Sequence, residues 1–428
     1  MTRLTVVLVL LLGLATLRGA ELRETEEARV RRVLGNPAFE RMVAVFERDF
    51  ERYVDEIVLL TEIPAPPFGE MPRAEAFLRM LRETGLEDCE IDAEGNAMGR
   101  WRGRGGAPLT AVTAHLDTVF PAGTDVTVKR VGTTLRAPGV GDDTRSLAFL
   151  LAFLRAMREA GVTTAGDLLI VGNVGEEGPG NLRGVRFLFE HGRWKDSIKR
   201  FVTVDGRSND FIVNGALGSN RYRVVFKGPG GHSWGSFGQA SPAFALGNAM
   251  VKLGKLVVPK QPKVSYNIGM VSGGTSVNSI PFEVAMEVDL RSVAADELRK
   301  VDAQFKRLVA EAVAEENATR ATTFGKIVVE IQPMGERPSG LVAVDSPLLK
   351  QVTATMKAFD KIPLWETGST DANLPISRGI PSFAMAAHSG NRAARAHSLD
   401  EWIDVEKAPA VKDFRLAAAL LLSVAELP

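Results

Sequence analysis

Cysteine is nearly missing from this chain: 428 residues carry one, Cys89. A single thiol excludes an internal disulfide. It is either a small buried apolar residue or a nucleophile, and the flanking run Glu87-Asp88-Cys89-Glu90 argues against the nucleophile, because neighbouring carboxylates raise a thiol pKa. Net charge is missing too. Lys plus Arg and Asp plus Glu both number 52, so no bulk field draws the protein to nucleic acid or to an acidic membrane. Repeats and low-complexity segments are absent. Long apolar runs are scarce. Leu4 to Leu17 carries no charge, but it is shorter than the ~20 residues of a membrane span. Behind Arg3 it has the form of a signal h-region, and Gly13-Leu14-Ala15 is a small-x-small cleavage site. The competing reading is an uncleaved membrane anchor. Residues 1–20 are therefore expected to be a signal peptide of an exported protein, periplasmic or secreted.

What remains is ordinary for a globular protein: 45% apolar and 24% charged residues. The length points to two or three domains. Residues 21–35 are charged and read as a surface helix or a leader. Arg41 to Glu62 has helical spacing and stops at the breaker cluster Ile63-Pro64-Ala65-Pro66-Pro67. Pro72 to Leu86 and Ser146 to Gly161 read as helices. Pro108 to Phe120, Asp167 to Glu177 and Phe201 to Asp205 read as buried strands. This alternation is that of a mostly parallel sheet covered by helices.

The pattern changes near residue 218. Asn220 to Lys227, Val264 to Gly273, Phe282 to Ser292 and Ile327 to Met334 read as strands. Ser241 to Leu256 and Ala294 to Asn317 read as helices. That order gives an antiparallel sheet with helices on one face, an α+β ferredoxin-like unit. The α/β rhythm returns with helix Ser346 to Phe359, strand Ile380 to Ala386 and helix Val405 to Leu427. The expected organisation is a catalytic domain in two parts, 21–217 and 339–428, interrupted by an inserted domain at 218–338.

Only five histidines occur, so their settings carry information. His115 lies late in a buried strand in Ala-His-Leu-Asp, and strand periodicity puts Asp117 on its face. A carboxylate there orients an imidazole that binds metal. Alone, such a histidine is as readily a satisfied core residue. Gly139-Val140-Gly141-Asp142-Asp143 precedes a helix, where the acids either cap it or form a site. Glu176-Glu177 and Asp205 end apolar strands, the edge at which open α/β sheets bind ligands. His397 lies in Arg-Ala-His-Ser-Leu-Asp-Glu. Together these nitrogen and oxygen donors suit Zn²⁺, with Mn²⁺ or Co²⁺ as alternatives, and a shared carboxylate permits a pair of ions.

The order His-x-Asp, Gly-x-x-Asp-Asp, Glu-Glu-Gly, Asp and His-Ser-x-x-Glu resembles the M20 metallopeptidase family, whose members include peptidase T-like, carboxypeptidase G2-like and aminoacylase-like enzymes. The resemblance spans about residues 45–425 and makes the insertion a lid or dimerisation domain. It implies a dinuclear zinc hydrolase of amide bonds in short peptides, or of N-acyl amino acids. It further implies that His115, Asp142 and Asp205 hold one metal, and that Glu177, His397 and the shared Asp142 hold the other. Asp117 supports His115, and Glu176 is the general base. The Asp142–Asp143 peptide bond is expected to be cis. In the insertion, His232 is expected to stabilise the oxyanion, often across a dimer interface, and Asn278 and Arg291 to hold the substrate. Thr144 stands where many relatives have lysine. His388 rivals His397 as the last ligand, but the Ser398 and Glu401 context favours His397. A non-catalytic binding protein on the same scaffold is the third reading, opposed by the intact ligand set.

Overall fold

The computed structural model describes residues 24–390 and 393–427. The apolar run at Leu4 to Leu17 lies outside them. No described helix is long and apolar enough to cross a membrane.

A nine-stranded sheet organises the larger domain. Its centre is four parallel neighbours in the order Leu168–Asn173, Leu109–His115, Ile198–Val204 and Ser382–Met385. Every residue of Leu109–His115 and Leu168–Asn173 is buried, as a parallel sheet covered on both faces requires. Antiparallel strands extend the sheet on both sides: Ala97–Trp101 and Glu87–Ile91 on one, Phe211–Ala216 on the other. None of these three was foreseen from the sequence.

The helix Thr144–Ala160 is buried along nearly its whole length. It packs between the sheet and the helices Pro37–Arg48 and Phe50–Thr61, and it ends at Gly161, whose φ of +69° is the left-handed value of a helix stop. The single helix expected over Arg41 to Glu62 is two, broken at Asp49, whose φ and ψ of −94° and 19° leave the helical region. The break gathers Phe50 and Tyr53 around Phe46, which stacks on Phe414 of the C-terminal helix.

Two expected strands are shorter than the apolar runs that suggested them. Leu109–His115 stops at His115 because the chain leaves the ladder: Leu116 still donates to Asn173 O at 2.7 Å, but Thr118 N donates to Ala65 O at 3.0 Å. Leu168–Asn173 likewise ends before the two glutamates. His115 and Asn173 are thus last in adjacent strands, and Glu176, Glu177 and Asp205 occupy the loops at the same edge.

Between Ala216 and Gly340 the chain builds a second, four-stranded antiparallel sheet. Its order is Val264–Gly273, Glu283–Ser292, Gly218–Lys227, Val328–Arg337. Helices Pro242–Gly254 and Ala295–Thr319 cover one face and share its core with Tyr222, Val224, Phe226, Met286 and Val288. The strand order and the two helices are those of a ferredoxin-like unit. Asn373, 1% exposed, ties both crossings to the larger domain: its Nδ2 donates to Leu217 O at 2.9 Å and to Pro338 O at 3.1 Å.

Candidate metal centre

Asp142 is the focus of the site. It follows a loop held by Glu401, whose Oε1 accepts the N–H of Gly141 at 2.7 Å and of Asp142 at 2.9 Å. The peptide bond from Asp142 to Asp143 is cis. His115 Nε2 lies 2.9 Å from one Asp142 oxygen, and His397 Nε2 lies 3.2 Å from the other. His397 Nε2 also lies 2.7 Å from Glu177 Oε1. One carboxylate therefore stands between two imidazoles.

Asp205 follows the last residue of its strand into the same cleft, lining it with Asp142, Glu176, Glu177 and His397. His388 lines the Asp205 and His397 side of the cleft. Its Nδ1 turns to Ser389 O at 3.1 Å, whereas His397 reaches two of the acids.

Asp117 is fully buried and lies past the strand end. Its carboxylate faces the Glu176–Glu177 loop, accepting the N–H of Glu176 at 3.0 Å and of Glu177 at 2.7 Å. The His115 Nδ1 meets the Asp117 carbonyl at 3.0 Å, and the nearer carboxylate oxygen is 3.8 Å away. A backbone carbonyl on the far ring nitrogen leaves Nε2 to act as the ligand atom. Asp143 does not cap the helix that follows, since its side chain makes no cap hydrogen bond. It accepts the N–H of His115 at 3.1 Å instead. Thr144 donates its hydroxyl to Gly139 O at 2.9 Å, within the loop that precedes Asp142.

The electrostatics fit cations. Burial pushes the Asp205 carboxyl up to about 6. Burial also raises Glu176 well above the carboxylate range, against the pull of Arg337. Burial works to raise Asp142 as well, but hydrogen bonds from His115 and His397 outweigh it and hold the group low. Hydrogen bonds to Asp142 and Glu177 lift His397 to about 10. The acids around His115 and His397 thus draw both imidazoles towards their protonated forms. A cation that replaces those protons relieves the same excess of negative charge. His115, Asp142 and Glu177 each offer a donor atom within 4.8 Å of the others, and the donor set of imidazole and carboxylate suits divalent transition metals.

The pattern of the Peptidase family M20/M25/M40 matches residues 111–426, which include every one of these groups. The chain belongs to the M20/M25/M40 peptidase family. Carboxypeptidase G2 of Pseudomonas sp. (strain RS-16) is 24% identical over 348 residues, 77% of this chain and 77% of that protein. Among solved structures, the aminopeptidase PepT of Bacillus cereus ATCC 10987 superposes with a TM-score of 0.71 at 21% identity, covering 88% of this chain and 99% of its own. The Bacillus subtilis YXEP protein, a dinuclear metal binding peptidase of this family, gives 0.63 at 19% identity, covering 89% and 99%.

Three expected M20 site residues lie in the inserted domain, away from this cleft. His232 is exposed on a short two-stranded ladder, paired with Ser279, and its Nδ1 accepts Trp234 N at 3.2 Å. Asn278 is exposed beside it, its carbonyl accepting Ser233 N at 2.9 Å. Arg291 pairs with Asp289 at 2.6 Å. None of the three lines the metal cleft. The inserted-domain residues that do are Arg221, 3.4 Å from Asp289, and Arg337.

The sequence reading missed Arg337, Ser369 and Asp371. Arg337 is 5% exposed and donates Nη1 to Glu176 Oε1 at 2.8 Å. Asp371 is fully buried behind the cleft, accepts Asn173 Nδ2 at 2.7 Å, and is pushed by burial up to about 7. The one sequence signal for Ser369 and Asp371 was the polar turn Gly368-Ser-Thr-Asp-Ala-Asn373 after an apolar segment, and Arg337 had none.

Cys89, partly buried, donates to Leu86 O at 3.4 Å, and burial pushes its thiol up. That is the setting of an inert thiol.

Proposed function

We propose that the chain is a dinuclear metal-dependent hydrolase that cleaves amide bonds of short peptides. The observation that carries this is the placement of two imidazole nitrogens against the two oxygens of one carboxylate, Asp142. His115, Asp142 and Asp205 would hold one ion, and Glu177, His397 and Asp142 the other. Zinc is the ion the donors favour, with Mn²⁺ and Co²⁺ as alternatives. When bound, such a pair supplies Lewis acidity, acidifying a water and polarising a carbonyl.

The rest is done by side chains of this chain. Glu176 takes a proton from the attacking water and returns it to the leaving amine. Asp117 holds the backbone from which Glu176 and Glu177 project. Arg221 lines the cleft with a cationic head that attracts an anionic end of the substrate.

His232 and Asn278 act in trans in this proposal, the inserted domain serving a homodimer. Their exposure at one two-stranded ladder, with Trp234, Phe237 and Val277 also exposed in the same segments, supports that reading. Export is proposed from Arg3 and the uncharged run Leu4 to Leu17.

The test is metal analysis of the purified protein, coupled to hydrolysis of alanine dipeptide and tripeptide, an acidic dipeptide and N-acetylalanine. Two equivalents of metal and cleavage of a peptide are expected, as is loss of ~10² or more in kcat for Glu176→Gln at unchanged metal content. Cleavage of N-acetylalanine alone replaces the peptidase reading with an acylamino-acid hydrolase. Absence of bound metal ends both. Sedimentation of the purified protein decides the dimer.

A further inference from the structure

Glu176 projects from a loop, and a loop carboxylate has several rotamers open to it. Here one is selected by Arg337. Its Nη1 donates to Glu176 Oε1 at 2.8 Å, and its Nη2 donates to the carbonyl of the same residue. The guanidinium thus brackets both the side chain and the backbone of Glu176. Ser369 holds the guanidinium from behind: the same Nη1 reaches Ser369 Oγ at 3.0 Å and Ser369 O at 3.2 Å. Arg337 and Glu176 are each only 6% exposed in their side chains. No described residue donates to Glu176 Oε2, while Glu176 lines the cleft beside Asp142, Glu177 and Asp205.

Arg337 is also the last residue of the outer strand Val328–Arg337, by which the chain leaves the inserted domain. Its neighbour Glu336 is pinned to the loop and the helix after Glu176: Asn181 Oδ1 accepts Glu336 N at 2.9 Å, and Arg186, in helix Arg183–Glu190, donates Nη2 to Glu336 O at 2.5 Å. The segment that carries the base and the strand that ends the lid are therefore joined at three adjacent points.

We propose that Arg337 is a positioning residue for Glu176: it fixes Oε1 so that Oε2 is presented to the cleft, and it ties that presentation to the seating of the inserted domain. Ser369 locks the guanidinium in place. The proposal rests on the assignment of Glu176 as the base. A displacement of a reacting group by ~1 Å costs ~10²-fold in rate, so the bracket carries a catalytic consequence without touching substrate.

The experiment is steady-state kinetics on the best-cleaved substrate of the panel above, with bound metal measured for each protein. The proteins are the natural chain, Arg337→Met, Arg337→Lys, Ser369→Ala, Glu176→Gln and the double variant Arg337→Met/Glu176→Gln. Arg337→Met should lower kcat ~10²-fold, leave KM within about threefold and keep the metal content. Arg337→Lys, with one donating head in place of a fork, should fall between. The double variant should be no slower than Glu176→Gln alone, because a base that is absent needs no positioning. A crystal structure of Arg337→Met should show the Glu176 carboxylate in a different rotamer. An unchanged kcat overturns the proposal. So does a loss carried by KM alone, which makes Arg337 a substrate ligand, and so does a double variant whose losses multiply. If Arg337→Met does not fold, Arg337→Lys and Ser369→Ala decide: about tenfold loss of kcat in both supports the positioning role, and natural rates in both end it. Full activity of Glu176→Gln instead removes the base assignment itself, whatever Arg337 does.

Discussion

Glu401 Oε1 accepts the backbone N–H of Asp142 at 2.9 Å, across 259 residues of chain. The same carboxylate takes the N–H groups of Gly139 and Gly141. Three amides converging on one buried acid fix the loop that presents Asp142. A Cβ at Gly141 would meet Glu401 Oε1 at 2.9 Å, so the loop and the acid are fitted to each other. Burial pushes Glu401 up to about 7 in spite of the three amides. Glu401→Gln turns one acceptor into a donor facing N–H groups. It should cost ~1–3 kcal/mol of stability and ~10–100-fold in metal affinity, measured by thermal melting and chelator competition. Natural values for both would mean the loop holds itself.

Bound metal should follow the geometry of the ligands. His115→Ala and His397→Ala each remove a donor from one side of Asp142, so each should leave about one equivalent per chain. Asp142→Asn weakens both positions and should leave less than either. Plasma emission spectrometry after dialysis reads the result. Equal retention in all three would separate the cluster from metal binding.

The metal-free protein should respond to alkaline pH. Hydrogen bonds to Asp142 and Glu177 raise His397 from 6.5 to about 10. A folded value above the unfolded one means that the bound proton stabilises the fold fully below pH 6.5 and that this stabilisation is lost as pH rises through about 10. Melting temperature of chelator-treated protein should therefore fall between pH 7 and 10. The metal-loaded protein, whose imidazole has no proton to lose, should show a flatter profile. Parallel profiles would contradict this account.

Asn373→Ala tests the tie between the two domains. It leaves the carbonyls of Leu217 and Pro338 without their buried donor. A loss of ~1–3 kcal/mol is expected, together with faster proteolysis at the crossings near 217 and 338 and intact metal content. Natural protease resistance would show that the crossings are held by other contacts.

Some of this was legible residue by residue. Buried parallel strands read as unbroken apolar runs, so Leu109–His115 and Leu168–Asn173 were visible without coordinates. Alternation revealed the strand Glu283–Ser292 in the second sheet. Strand ends were less legible, because an apolar run does not state where the ladder stops. The break at Asp49 was hidden for a related reason: both halves keep helical spacing, and the packing of Phe50, Tyr53 and Phe414 on Phe46 is not visible along the chain.

The sequence by itself determined the chemistry available: few histidines, acids at the ends of apolar strands, and an order of motifs that identifies a family. Such information is local, held in residue type and spacing. Only the tertiary structure decided which groups meet. It put His115 and His397 on opposite oxygens of Asp142, turned Asp117 towards the Glu176–Glu177 amides, and closed Arg337 over Glu176 from 161 residues away. Those contacts depend on sheet order and on where the inserted domain rejoins the sheet, and no periodicity along a chain encodes a distance across it.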